Sequence, residues 1–178
     1  ALSLNYERVR DEGTKWSLKS LVYWFVIGRV RRFEHQSVRQ FDLVSLVSSA
    51  DRKHLQRELA EEHNIAVYPN GVDIDEFRPV ESGSAPAVAF VGNMRTAQNQ
   101  DACDYFIEDV LPRLREEVSG FRFRIIGASP ESVADRYRSV EGVDFVGRVD
   151  RIADAVEGVC AGVCPMRVGA GVQNKVLE

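Results

Sequence analysis

Val159-Cys160-Ala161-Gly162-Val163-Cys164-Pro165-Met166-Arg167-Val168-Gly169-Ala170-Gly171-Val172-Gln173-Asn174-Lys175-Val176-Leu177-Glu178 are the last twenty residues of the sequence, and they read as three pieces. Val159 to Val163 is an apolar run, the pattern of a buried strand, and Cys164-Pro165 ends it. A Gly-Ala-Gly loop follows, and then what reads as the first turn of a helix. Small residues at a strand-to-helix switch let backbone N–H groups approach an anion, and a helix N-terminus favours negative charge. Lys175 adds a compact cation, and Glu178 shares a helix face with it three residues on. A site for a phosphorylated, polyhydroxylated ligand needs these groups: a cation and amides for phosphate, a carboxylate for hydroxyls. A plain loop–helix junction fits the same spacing.

Upstream, the same rhythm repeats. Val88–Val91 reads as a strand, Asp101–Glu117 as a helix with Ala102, Phe106 and Leu111 inward, and Phe121–Ile126 as a strand ending at Gly127. A helix over Glu131–Arg138, a strand over Val143–Val146 and a short helix over Arg151–Glu157 lead into the final strand. Short strands rich in branched residues, separated by helices, predict an α/β fold with a parallel sheet. Ligands of such sheets sit at the carboxyl ends of the strands, where Gly92-Asn93-Met94-Arg95 and the loop after Cys164 both fall.

Before Val88 the pattern differs. Apolar groups at Trp16, Leu18, Leu21, Val22, Phe25, Val26, Val30 and Phe33 predict an amphipathic helix over about 15–39, broken near Gly28, with Arg29, Arg31 and Arg32 on a solvated face. Phe41–Val47 reads as a short buried strand. Ser48 or Ser49 caps the charged helix that follows to about Glu62. Ile65–Tyr68 is a further strand, closed by the turn signal Pro69-Asn70-Gly71. The Pro-, Gly- and Ser-rich residues beyond it lack periodicity and read as a linker. The organisation predicted is therefore 1–69, a linker over 70–86, and 87–178.

Composition narrows the classes. Hydrophobic residues are 44% and charged residues 28%, as in ordinary globular proteins. A formal charge of −4 argues against broad nucleic-acid binding. No run approaches the roughly 18 apolar residues of a membrane span. Cys103, Cys160 and Cys164 show no metal-ligand spacing with His35, His54 or His63, so no zinc site is expected, and the cysteines read as buried small hydrophobes in a reducing compartment.

Several of these stretches, in order, resemble glycosyltransferase family 4 (group 1), the retaining enzymes of the GT-B fold with two Rossmann-like domains. Val47-Ser48-Ser49-Ala50-Asp51 is similar to the end of the acceptor domain, and Val67-Tyr68-Pro69-Asn70-Gly71-Val72-Asp73 with Phe77 to the crossing between domains. Phe90-Val91-Gly92-Asn93-Met94 is similar to the start of the donor domain. Phe145-Val146-Gly147-Arg148-Val149 and the closing Gly-x-Gly with Gln173-Asn174-Lys175-Val176-Leu177-Glu178 are similar to its nucleotide-sugar loops. Asn99 falls in a matching pattern. The closest flavour is that of bacterial polysaccharide-biosynthesis sugar transferases.

The resemblance implies parallel, Rossmann-like sheets forming a fragment of two domains: the C-terminal part of an acceptor-side domain, a linker, and the first part of a donor domain. It implies transfer of a sugar from a nucleotide-diphosphate-sugar to a saccharide or lipid-linked acceptor hydroxyl, with retention and with neither cofactor nor metal. Lys175 and Glu178 would be catalytic. Gly92, Asn93, Arg95, Arg148, Val149, Arg167, Gly169, Ala170 and Gly171 would bind the donor. The setting implied is cytoplasmic, at the inner face of the membrane, with peripheral contact through acceptor-domain residues outside this chain, and the fragment alone is expected to be inactive.

Two departures from the family pattern stand out. Ala170 occupies the place of a frequent glutamate, and Asn93 and Gln98 stand where arginine and lysine are usual. Lys175, Arg95 and Arg167 are the cations nearest to hand for a diphosphate. Two alternatives stay open: a nucleotide-sugar epimerase of the same fold, and a non-catalytic module that has kept the fold and lost the chemistry.

Overall fold

The computed structural model describes residues 3, 4, 7, 18–59, 63–75, 86–167 and 173–176. Backbone contacts divide the chain into two compact units, one built on Ala1–Gly71 and the other on Val72–Arg167 with the turn Asn174–Val176. Each holds its own parallel sheet.

The first unit opens its described core with α1 (Leu18–Gln40), then β1 (Val44–Leu46), α2 (Ser49–Glu58) and β2 (Ile65–Val67). β1 and β2 pair in parallel, Val44 opposite Ile65. Ser48 caps α2, its hydroxyl accepting from the amides of Ala50 at 3.1 Å and Asp51 at 3.4 Å. That cap satisfies two amides that otherwise have no partner in the helix. Val38, Leu55, Leu59 and Ile65 form the small core.

Four sequence expectations change here, the first being that the buried strand expected over Phe41–Val47 is only Val44–Leu46, with Phe41 and Leu43 exposed. Gly28 does not break α1: glycine costs a helix about 1 kcal/mol but keeps its N–H, so the hydrogen-bond ladder continues. Val22, Phe25 and Phe33 are exposed, while Ile27 and Val38 are buried. Two three-residue strands offer too little surface to cover the wider apolar face expected of α1. Arg31 is not simply solvated, because it pairs with Glu7 and Glu58. Trp16 and the stretch 60–62 at the expected end of α2 lie outside the described residues, as does 76–85 of the expected linker.

The second unit carries the site. Its elements are β3 (Ala87–Val91), α3 (Ala97–Tyr105), a π-helical turn (Phe106–Val110), α4 (Leu111–Glu117), β4 (Arg122–Ile126), α5 (Glu131–Arg138), β5 (Val143–Gly147), α6 (Ile152–Val156) and β6 (Ala161–Gly162). The sheet order is β5-β4-β3-β6, every pair parallel, so all carboxyl ends lie along one edge. Alternation along the strands sends Val88, Phe90, Phe123, Ile125 and Val143 into one core with Phe106 and Tyr137. Phe106 stacks on Phe123 at 4.2 Å.

The helix expected over Asp101–Glu117 begins at Ala97 and is interrupted by the π-helical turn. Pro112 explains the interruption: it has no N–H to donate, and the Leu111 amide reaches back five residues to the Phe106 carbonyl. The final strand is the larger correction. The Val159–Val163 run forms only a two-residue strand with both residues exposed. Among the described residues β6 has one neighbour, β3, so one side of the run is left open. Backbone bonds still flank it, from Cys160 N–H to Ala87 O and from Val163 N–H to Ala89 O, both 2.8 Å. Consequently Cys160 is exposed and Cys164 half-buried, and only Cys103 is buried as expected.

Candidate functional site

Three loops at the carboxyl edge of the second sheet are stitched together by their backbones. The Gly92 amide donates to Ile126 O at 2.9 Å, Met94 to Ala128 O at 2.8 Å, and Gly127 to Gly147 O at 2.7 Å. Gly127 makes this approach achievable. Its φ is +142°, and a Cβ there would stand 2.0 Å from the Gly92 carbonyl oxygen. The loop after β3 is thereby held at a fixed height beside the ends of β4 and β5.

Within that loop Asn93 folds back, its side-chain oxygen accepting from the Arg95 amide at 3.0 Å. Met94 is fully buried, while Asn93 and Arg95 are exposed. Asn99, in the first turn of α3, donates to the Asn93 carbonyl at 2.9 Å and accepts from Lys175 Nζ at 2.8 Å. Lys175 Nζ also lies 4.2 Å over the Phe90 ring, near Met166 Sδ. No carboxylate of the described residues pairs with it. Burial depresses the Lys175 pKa, an effect partly opposed by the nearby Cys164 and Cys103 thiols.

A cavity of about 450 Å³ adjoins Lys175, with Ala89, Val91, Ile152, Val156 and Val163 among its walls. Its lining is largely apolar, so the lysine is its one described side chain of full charge.

The remaining expected residues are placed as follows. Arg167 is bonded to both oxygens of Asp101, at 2.5 and 3.2 Å, and stacks over Tyr105, which commits its guanidinium to α3. Arg148 follows β5 and is exposed, with Val149 half-buried beside it. Gly169, Ala170, Gly171 and Glu178 lie outside the described residues. The fold thus brings together Gly92, Asn93 and Lys175 and turns Arg167 aside. Sequence reading did not give Asn99 or Gly127 a role. Asn99 was visible only as part of a family pattern, and Gly127 only as the end of a strand.

In the first unit, Glu7, His54 and Glu58 bring potential ligand atoms within 4.8 Å of one another. Arg31 already pairs with Glu7 and lies 2.9 Å from Glu58 Oε1, so both carboxylates face a guanidinium. His35 and His54 approach the same Glu58 at 3.4 and 3.8 Å. Both histidines belong to this cluster of side chains.

Residues 85–178, more than half of the chain, match the family described as Glycosyl transferases group 1. The chain belongs to that family. Among solved structures it is similar to TarM, at 18% identity and a TM-score of 0.60, over 74% of this chain and 26% of that one. It is also similar to a point mutant of S. aureus TarM in complex with Fondaparinux, alpha-GlcNAc-glycerol and UDP, at 18% identity and a TM-score of 0.55, over 68% and 24%. At such identity the likeness is one of fold: two separate parallel sheets, Rossmann-like, as in the two-domain GT-B architecture. The chain spans about a quarter of the length of these structures. No curated protein matches it.

Proposed function

We propose that this chain is the donor-binding portion, with the adjoining piece of the acceptor side, of a retaining glycosyltransferase. It takes a sugar from a nucleotide-diphosphate-sugar and passes it to a saccharide or lipid-linked acceptor hydroxyl in polysaccharide or glycoconjugate synthesis, at the cytoplasmic face of the membrane. The observation that carries this reading is Lys175, an ammonium without a described carboxylate partner, beside the glycine loop at the carboxyl edge of a parallel sheet. A diphosphate-bearing ligand meets such an edge by its phosphates.

The chemistry follows from charge. As the glycosidic C–O bond breaks, negative charge grows on the leaving diphosphate, and groups that bind it more tightly in the transition state raise the rate. Lys175 supplies a cation in a half-buried setting, where its field is weakly screened. Arg95 is the exposed second cation, and Arg148 with Val149 flanks the edge at β5. Gly169, Ala170 and Gly171 would offer loop amides, and Glu178 would accept bonds from donor hydroxyls. With lysine and arginine in these positions the scheme runs without a metal. Alone, the chain is expected to be inactive, because acceptor and acid–base groups belong to the rest of the enzyme.

The test is turnover by the full-length enzyme with its nucleotide-sugar. Lys175→Ala should lower kcat by ~10²–10³, as removal of one preorganised charge-stabilising donor does. Glu178→Gln should lower it as well, because a neutral amide accepts hydroxyl bonds more weakly than a carboxylate. Parent-like turnover by Lys175→Ala removes the lysine from the mechanism, and strict Mg²⁺ dependence contradicts the metal-free scheme.

A further inference from the structure

Among the described residues Lys175 is held by neutral groups: the Asn99 amide oxygen at 2.8 Å, the Phe90 ring at 4.2 Å and the Met166 thioether at 3.8 Å. The same Asn99 side chain spends its N–H on the Asn93 carbonyl, 2.9 Å away. One amide therefore ties the loop after β3 to the turn after β6. Its orientation is fixed by that division of labour, since only the oxygen can accept from an ammonium and only the nitrogen can donate to a carbonyl. Gly92 completes the fit: a Cβ there would stand 2.9 Å from the Asn99 nitrogen and 2.8 Å from the Phe90 ring. Any larger residue at 92 would push the amide off the loop.

We infer that Asn99 is the positioning residue of the donor site, fixing the Lys175 ammonium against the Gly92–Asn93 loop while leaving its charge unneutralised for a nucleoside diphosphate. This rests on the donor-site reading above. A carboxylate in the same place would hold the lysine equally well but spend its charge. An amide orients it and leaves the full positive charge for the ligand. It also accounts for the departure from the family pattern at Asn93 and Gln98. The cation arrives from the turn after β6 rather than from the loop after β3, and an acceptor on α3 receives it. The groups that face this lysine are the Cys103 thiol of α3 and the Cys164 thiol of the loop after β6. Among the described residues no acid lies within pairing distance.

The discriminating substitution is Asn99→Asp, which keeps size and the acceptor for Lys175, adds a charge, and gives up the N–H donated to the Asn93 carbonyl. Two measurements on the full-length protein test it: calorimetric titration of UDP and of GDP across pH 7–10, and side-chain NMR titration of Lys175. In the parent, the lysine should titrate below the ordinary range, and nucleotide affinity should fall as pH rises through that titration. Asn99→Asp should move both midpoints upward and weaken binding at pH 7.5 on the order of tenfold or more, the scale of one charge-assisted hydrogen bond. Lys175→Ala should remove the pH dependence, and adding Asn99→Asp to it should cost little more, because the two residues act as one unit. A role confined to folding would lower stability and leave the midpoints in place. An unmoved lysine midpoint in Asn99→Asp overturns the contact. A moved midpoint with parent-like affinity overturns the positioning role. A parent that binds neither nucleotide while its lysine midpoint still moves overturns the donor reading itself.

Discussion

Gly127 shows how a single backbone position sets the height of the site. Its positive φ and its contact with the Gly92 carbonyl leave room for hydrogen alone. Gly127→Ala should destabilise the second unit by about 1–3 kcal/mol from backbone strain, with the steric clash adding to that. Urea unfolding against the parent reads the loss, and a change below about 0.5 kcal/mol would show that the loop yields easily. Because Gly92 takes up the displacement, nucleotide affinity should fall in the same variant. Residues of this kind were only partly legible in the sequence. Gly92 and Lys175 stood out by type and spacing, but Gly127 and Asn99 act through contacts between loops that are 35 and 76 positions apart in the chain. Arg167 was read from its charge as a phosphate contact, and the structure pairs it with Asp101.

Elements were legible wherever hydrophobic period and packing agree. β3, β4, α5 and β5 fall within a residue of expectation, because each has neighbours that accept its apolar face. α1 and β6 depart because their described neighbours are few: exposed aromatics on one, a two-residue ladder on the other. The π-helical turn was hidden because Pro112 signals an interruption without its form. At the β4–β5 pair, Arg122 bonds Asp144 through Nε at 2.9 Å to each carboxylate oxygen, holding the Asp144 pKa below the usual carboxylate range. A depressed carboxylate stabilises the fold above its unfolded pKa, and that contribution is lost as pH falls through the folded pKa. Asp144→Asn should therefore be less stable than the parent at pH 7, with the gap closing as pH drops below about 4. The gap should be small, since the pair is half-exposed. A stability difference that is constant from pH 7 to pH 2 would show that the pair does not contribute through charge.

Across the whole molecule, two parallel sheets divide the work, and the four-stranded one presents a carboxyl edge on which its loops converge. The family match over residues 85–178 covers this sheet's part of the chain, and the fold likeness to TarM covers 74% of the chain. We propose that the nucleotide diphosphate sits on that edge, against the Gly92–Asn93 loop and Lys175. Amide hydrogen exchange of the full-length protein, with and without saturating UDP or GDP, reads it most directly. Slowed exchange is expected at 92–96 and in the segment bearing Lys175. The connections at the opposite edge, 118–121 and 140–142, should remain unchanged. Protection at 118–121 or 140–142 with none at 92–96 would contradict the account.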